Sequence, residues 1–385
     1  MLINNLQGMV NPRVITIAVL LKLLLMTAAL FVILSVYHFS MIPAMRDQFM
    51  YLNDIQMIMN DITFVTMGSE AYESHNTFYA RMVGVFARFI PFSGVEPIVP
   101  AVIVNNLLQI GIATSVTAYY QNRGGYYPTA LFLVLLFSPT ISAYSFFALR
   151  DIAITLLFVL FVIKALENKY HSAIVLILLI TLLRPLYFSY TLYVVFLIGM
   201  LKVYENISQK AFFAAFTALA ILAIGQGLVV LLGFEWVYNV VQRDSFTVFK
   251  YITSSLGYGI FFLTEEVNLY GHGAGTSKAI RFVMFDSMFV GILGLFASYK
   301  LMVGGKNKNK ILGVITIFLV FTLSFAYLVL AGNFPFRKLL PLVPLFYLAI
   351  FLYIDMFMDQ KINIINKKNN EAKNSYAQAY VKQAM

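Results

Sequence analysis

Long apolar runs, separated by short charged clusters, set the pattern of this chain. A helix needs about 20 apolar residues to cross a bilayer, or fewer where it tilts or stops at a cavity. Ten runs meet that test, at residues 14–36, 98–120, 127–147, 151–167, 171–184, 186–201, 211–232, 283–303, 311–331 and 338–357. The fifth and sixth are short and meet at Leu183-Arg184-Pro185. Proline removes a helix donor, so a break is expected there; merging the two runs gives nine spans instead. The pattern predicts an all-α fold, a polytopic transmembrane helical bundle of about ten spans.

Two stretches fall outside the apolar pattern, a first loop at 37–97 and a second at 233–282. In the first, Asp47, Asp54 and Asp61 recur at seven-residue steps. Seven residues is nearly two helical turns, so the acids drift only about 20° per step and share one face. Phe49, Met50, Leu52, Ile55, Met57, Ile58 and Met59 supply an apolar side. The spacing predicts an amphipathic helix on the membrane surface, its acids turned to water or a cavity. A solvated helix face without chemistry fits the same spacing. The second loop carries Arg243-Asp244, Lys250, Glu265-Glu266 and a glycine-rich run at Tyr270–Thr276 that matches no phosphate-binding fingerprint.

Composition agrees with a membrane bundle. Of 385 residues 61% are hydrophobic and 11% charged, and the mean hydropathy is +0.82. No soluble core buries so much apolar surface. Cysteine is absent, which excludes disulfides, thiolate metal sites and a cysteine nucleophile. The four histidines are scattered and form no zinc pattern, so no metal is expected. The first run lacks a cleavage site and reads as a retained span. Residues 1–360 form one transmembrane domain, and 361–385 a basic tail that frays.

Charge orients the spans. With the N-terminus inside, the cytoplasmic segments hold fifteen basic residues and five acids, including Lys306-Asn307-Lys308-Asn309-Lys310. That satisfies the positive-inside rule and predicts a plasma (inner) membrane protein with both termini cytoplasmic. The net charge of +10 is thus accounted for by membrane insertion and calls for no nucleic acid. The kind of cation differs between the two sides. Thirteen of the fifteen inside are lysine, whereas eight of eleven outside are arginine: Arg46, Arg81, Arg88, Arg150, Arg184, Arg243, Arg281 and Arg337. Arginine is a rigid fork suited to phosphate or carboxylate. Pairing with the twelve outside acids is the structural alternative.

Several of these cations stand at expected outer ends of spans. Arg150-Asp151 opens the fourth, where Asp151 also suits a helix N-terminus. Arg184 sits where two short helices end, at a depth where a charge is costly unless paired or facing water. Pairing of Arg184 with Asp151 alone is the structural reading. Arg337-Lys338 precedes the last span.

These features together resemble the GT-C class of integral membrane glycosyltransferases. The likeness rests on the acid-bearing loop from Arg46-Asp47 to Asp54, on Leu136-Phe137-Ser138-Pro139 leading to Arg150-Asp151-Ile152-Ala153-Ile154, on Arg184-Pro185, and on Arg337 to Pro344. The resemblance implies transfer of a sugar from a polyprenyl-(di)phosphate donor to a glycan or lipid-linked acceptor on the extracytoplasmic side, in contact with membrane lipids and serving the cell envelope. It implies a first-loop carboxylate as base, matched first by Asp47 and then by Asp54. Arg46, Arg150, Asp151, Arg184, Arg337 and Lys338 become substrate-binding candidates. The acid spacing is not Asp-x-Asp, which speaks against a required divalent metal, and no cofactor is expected. Membrane polymerases of O-antigen or capsular polysaccharide share the charged pair and the Arg-Pro turn. A lipid-linked oligosaccharide flippase is the non-enzyme alternative, for which buried mid-span charges and repeated halves are the expected marks.

Overall fold

A computed structural model describes residues 10–36, 46–60, 78–89, 96–146, 149–184, 187–203, 286–305, 309–320 and 340–362. Among these residues there are helices and no strand. In chain order they are α1 (Pro12–Val36), α2 (Arg46–Met59), α3 (Phe78–Arg88), α4 (Ile98–Gln121), α5 (Pro128–Phe137), α6 (Pro139–Ser145), α7 (Asp151–Leu166), α8 (Tyr170–Leu183), α9 (Tyr187–Val203) and α10 (Asp286–Gly304). Two more follow, α11 (Asn309–Val320) and α12 (Leu342–Ile362). The run at 211–232, the second loop at 233–282, the tail from 363 and Asp61 lie outside the described residues.

The helix positions follow the apolar runs closely. Among the described residues three helices, α1, α4 and α12, are long and apolar enough to cross a membrane, or four if the bent pair α5–α6 is one span. Several of the others are shorter. At 1.5 Å per residue, the 16 residues of α7 reach about 24 Å and the 14 of α8 about 21 Å, against a hydrocarbon core of about 30 Å.

Exposed surfaces fit a lipid surround. On α1, Leu20, Leu24 and Phe31 are 60%, 66% and 71% exposed, while Ala18, Lys22, Met26 and Leu30 form a buried row at every fourth position. In α8, Tyr170, Ile174, Leu178 and Leu182 form an exposed row at the same spacing, and Ala173, Ile177 and Ile180 face inward. Water would penalise such rows, and hydrocarbon does not.

The core is built on α4, which packs against α5, α7, α6, α1 and α3. Its partners α5 and α6 meet at an angle of 48°. The bend has a local cause. Pro139 has no N–H, so the Leu135 carbonyl loses its helical donor. The Thr140 N–H, which in a continuous helix would serve Leu136, donates instead to Asp286 Oδ1 at 2.9 Å. Gln109 of α4 covers both freed carbonyls, its Nε2 lying 3.3 Å from Leu135 O and 2.9 Å from Leu136 O. Asp286, buried at the start of α10, also accepts from Ser138 Oγ at 2.6 Å, from Tyr347 Oη at 3.0 Å and from Thr140 Oγ1. The Leu135 and Leu136 carbonyls and the Thr140 N–H that the break releases thus find partners, as an apolar surround requires.

The turn between α4 and α5 is fastened to α12. Asp355 accepts from Tyr120 Oη at 2.8 Å and from the Tyr126 N–H at 3.3 Å. Tyr126 donates to Asp359, and that acceptor, with burial, pushes its phenol up to about 12. Nearby, Arg123 donates to Tyr119 Oη at 2.6 Å.

Candidate functional site

The loop between α1 and α4 contributes two helices to the other end of the bundle. In α2, Tyr51, Leu52, Ile55 and Ile58 are buried, an i, i+4, i+7 stripe that packs on α3. The contact is close: a Cβ on Gly84 of α3 would lie 2.7 Å from Ile58 Cβ. Arg88 of α3 closes the end of α2, with Nε 3.0 Å and Nη2 2.7 Å from Ile58 O. One of the eight arginines expected outside therefore serves as a helix cap.

Tyr51 joins this helix pair to the bundle. Its ring meets Tyr79 of α3 edge-on at 5.4 Å, and the Arg150 guanidinium carbon lies 5.8 Å from the ring centre. Tyr79 is fully buried and donates to Asn105 Oδ1 of α4 at 3.1 Å. Burial holds the Tyr79 phenol well above its ordinary range, so it remains a donor. Asn105 Nδ2 in turn donates to Leu149 O at 3.2 Å, the residue before Arg150. The turn that carries Arg150 and Asp151 is thus held from two directions.

The charged candidates meet here. Arg150 reaches across to the end of α8, its Nη1 2.8 Å from Leu183 O. Arg184, the next residue, has Nη1 3.7 Å from Asp151 Oδ1, with the side chains 15% and 5% exposed. The ion pair expected as the structural reading is therefore present. The Arg184 guanidinium carbon also lies 5.9 Å from the centre of the Tyr187 ring at the start of α9. Asp151 occupies the first turn of α7, where its charge faces the positive end of the helix.

Asp47 and Asp54 of the first loop share the helix that Tyr51 anchors. Asp54 is half-buried, three residues after Tyr51 and four before Ile58. It borders the buried stripe and does not stand opposite to it. Arg46 and Asp47 open α2, Asp47 one turn before Tyr51; their side chains, like all of Arg337 and Lys338, lie outside the described residues. The structure thus unites Arg150, Asp151 and Arg184 with the helix bearing Asp54. No group of three or more metal-ligating side chains occurs among the described residues.

Sequence reasoning passed over Asn105, Asn106, Gln109 and Asp286. Asn105, Asn106 and Gln109 are the buried amides of one apolar helix, and spacing one and four residues apart in such a run was their signal. Asp286 stood at the edge of an apolar run, and nothing local marks it as the acceptor for the distant Ser138-Pro139 break. Compared with known proteins, the chain matches no family model, no curated protein and no solved structure.

Proposed function

We propose that this chain is a membrane glycosyltransferase that moves a sugar from a polyprenyl-(di)phosphate donor to a glycan or lipid-linked acceptor. The observation that carries the reading is the meeting of Arg150, Asp151 and Arg184 beneath the helix that bears the first-loop acids. In this reading the shorter apolar helices complete a ten-span bundle with both termini cytoplasmic, and the arginine end faces outward. Asp47 or Asp54 takes the proton from an acceptor hydroxyl as its oxygen bonds to the anomeric carbon. The bond between that carbon and the donor phosphate breaks, and its electron pair leaves on the phosphate oxygen. Arg150 and Arg184, joined by Arg337 and Lys338, stabilise that charge as a preorganised electrostatic site. The donor's lipid tail stays among the helices, which accounts for a site at a bundle end.

The test is a purified-protein assay for release of polyprenyl phosphate, alongside surface-glycan analysis of Asp47→Asn and Asp54→Asn. Loss of both signals in at least one variant that still folds supports the assignment. Full activity in both variants removes the base. A second reading, a transporter of lipid-linked glycans, is favoured by buried Lys22 in α1 and the bent pair α5–α6. It requires glycan movement across liposomes with no polyprenyl phosphate released.

A further inference from the structure

Lys22 stands eleventh of the 25 residues of α1, and its side chain is 2% exposed. It belongs to the buried row of that helix, so it does not reach either end of the bundle. Its Nζ donates to Ser142 Oγ of α6 at 2.9 Å and lies 5.6 Å from the centre of the Phe146 ring. No carboxylate meets it among the described residues. An ammonium in that position costs several kcal/mol unless a negative group joins it.

The polar groups around Lys22 are unbalanced. Ser142 Oγ accepts from Lys22 Nζ and lies 3.1 Å from Gln109 Nε2, so its own proton points away from both nitrogens. Lys22 keeps two further N–H donors. On the other side, Gln109 is fully buried, and its Oε1 has no hydrogen-bond partner. The amide cannot rotate to cure this, because its Nε2 serves the carbonyls of Leu135 and Leu136. Unused donors, one of them charged, therefore belong to the same linked group of side chains as one orphaned acceptor.

We propose that Lys22, Ser142 and Gln109 form an anion site within the bundle, and that its guest is a singly protonated phosphate group. Unprotonated phosphate oxygens accept from Lys22 and Ser142, and the P–OH donates to Gln109 Oε1. A halide satisfies the cation but not the orphaned oxygen, and a neutral alcohol the reverse. The same group occurs free in solution and on a phosphate monoester lipid. A polar seam joins the site to the arginine end. Ser145 Oγ donates to Ser142 O at 2.7 Å and lies 3.3 Å from Asn106 Oδ1, and Asn105 beside Asn106 reaches Leu149 O and Tyr79. The inference holds under either functional reading.

The experiment measures the melting temperature of the full-length protein. One arm adds inorganic phosphate to protein in neutral detergent at constant ionic strength. The other compares nanodiscs of phosphatidylcholine with and without phosphatidic acid. A saturating rise of about 2–5 °C is expected in at least one arm, and the arm that responds names the source. Lys22→Met, close in shape and neutral, should fold and show no rise, whereas Lys22→Arg should keep it. Should Lys22→Met fail to fold, Ser142→Ala must show a weakened rise. No rise in either arm for the wild type, or an equal rise in Lys22→Met, overturns the proposal.

Discussion

Replacing Gln109 by leucine tests the physical account of the bent helix pair. Leucine is close in volume and keeps the apolar packing of α4, but it cannot donate. Pro139 lacks the N–H that would serve the Leu135 carbonyl, and the Leu136 carbonyl has lost Thr140 to Asp286. A buried polar group left without its partner costs about 1–3 kcal/mol. The bond to Leu136, at 2.9 Å, should fall in the upper part of that range, and the bond to Leu135, at 3.3 Å, in the lower part. Two lost bonds together predict about 3–4 kcal/mol of destabilisation. Removing the orphaned Oε1 returns part of this, leaving about 2–3 kcal/mol. Unfolding by titration with denaturing detergent, followed by circular dichroism, measures the difference. Gln109→Glu should be at least as harmful, since it presents acceptors to two carbonyls. If Gln109→Leu lies within about 0.5 kcal/mol of wild type, the amide does not support the break and the account is wrong.

Three further outcomes follow from other contacts. Asp151→Asn removes the Asp151 charge from beside little-exposed Arg184 and should cost about 2–4 kcal/mol by the same titration; a neutral result would mean the pair at 3.7 Å contributes nothing. Gly84→Val should force α2 from α3, raising protease cleavage of the loop between α1 and α4, and Ile58→Ala in the same chain should restore part of the protection. Burial pushes the Glu167 carboxyl up, but its contacts with Lys169 at 2.8 Å and Lys164 at 3.5 Å outweigh that and hold it below 4.5. Its contribution is therefore present above pH 4.5 and is lost as pH falls through the lowered value, so Glu167→Gln should flatten the acid limb of a stability–pH curve; an unchanged limb would remove this contact from the account.

Much of the helical layout was legible because apolar runs report burial or lipid contact directly. The runs at 14–36 and 98–120 became α1 and α4 with shifts of one or two residues. Pro139 by its chemistry marks the break at Ser138-Pro139, but nothing local marks the break's support. That support comes from Gln109 and Asp286, which reach it across 26 or more residues through side-chain bonds with no local periodic mark. The span count was the weaker inference, since hydropathy cannot tell a full crossing from a short helix resting on its neighbours. Arg184 with Asp151 was anticipated from the cost of a buried charge. The seam through Asn105 was missed because a few amides barely change the hydropathy of a run.

The clamp on the bent helix bears on how the chain is made. Ser138 and Thr140 are bound by a carboxylate that lies 148 and 146 residues downstream. A ribosome adding about 5–20 residues per second needs roughly 7–30 s to deliver Asp286 after α6. Through that interval the Thr140 N–H and the Ser138 hydroxyl have no carboxylate to bind. The α5–α6 segment must therefore wait at a wet boundary, in the insertion machinery or against a chaperone, and settle into the bundle only when α10 arrives. That order predicts an insertion that departs from a simple N-to-C procession. Truncations ending before residue 286 should leave the fifth and sixth helices open to water-borne thiol reagents at cysteines introduced into this cysteine-free sequence.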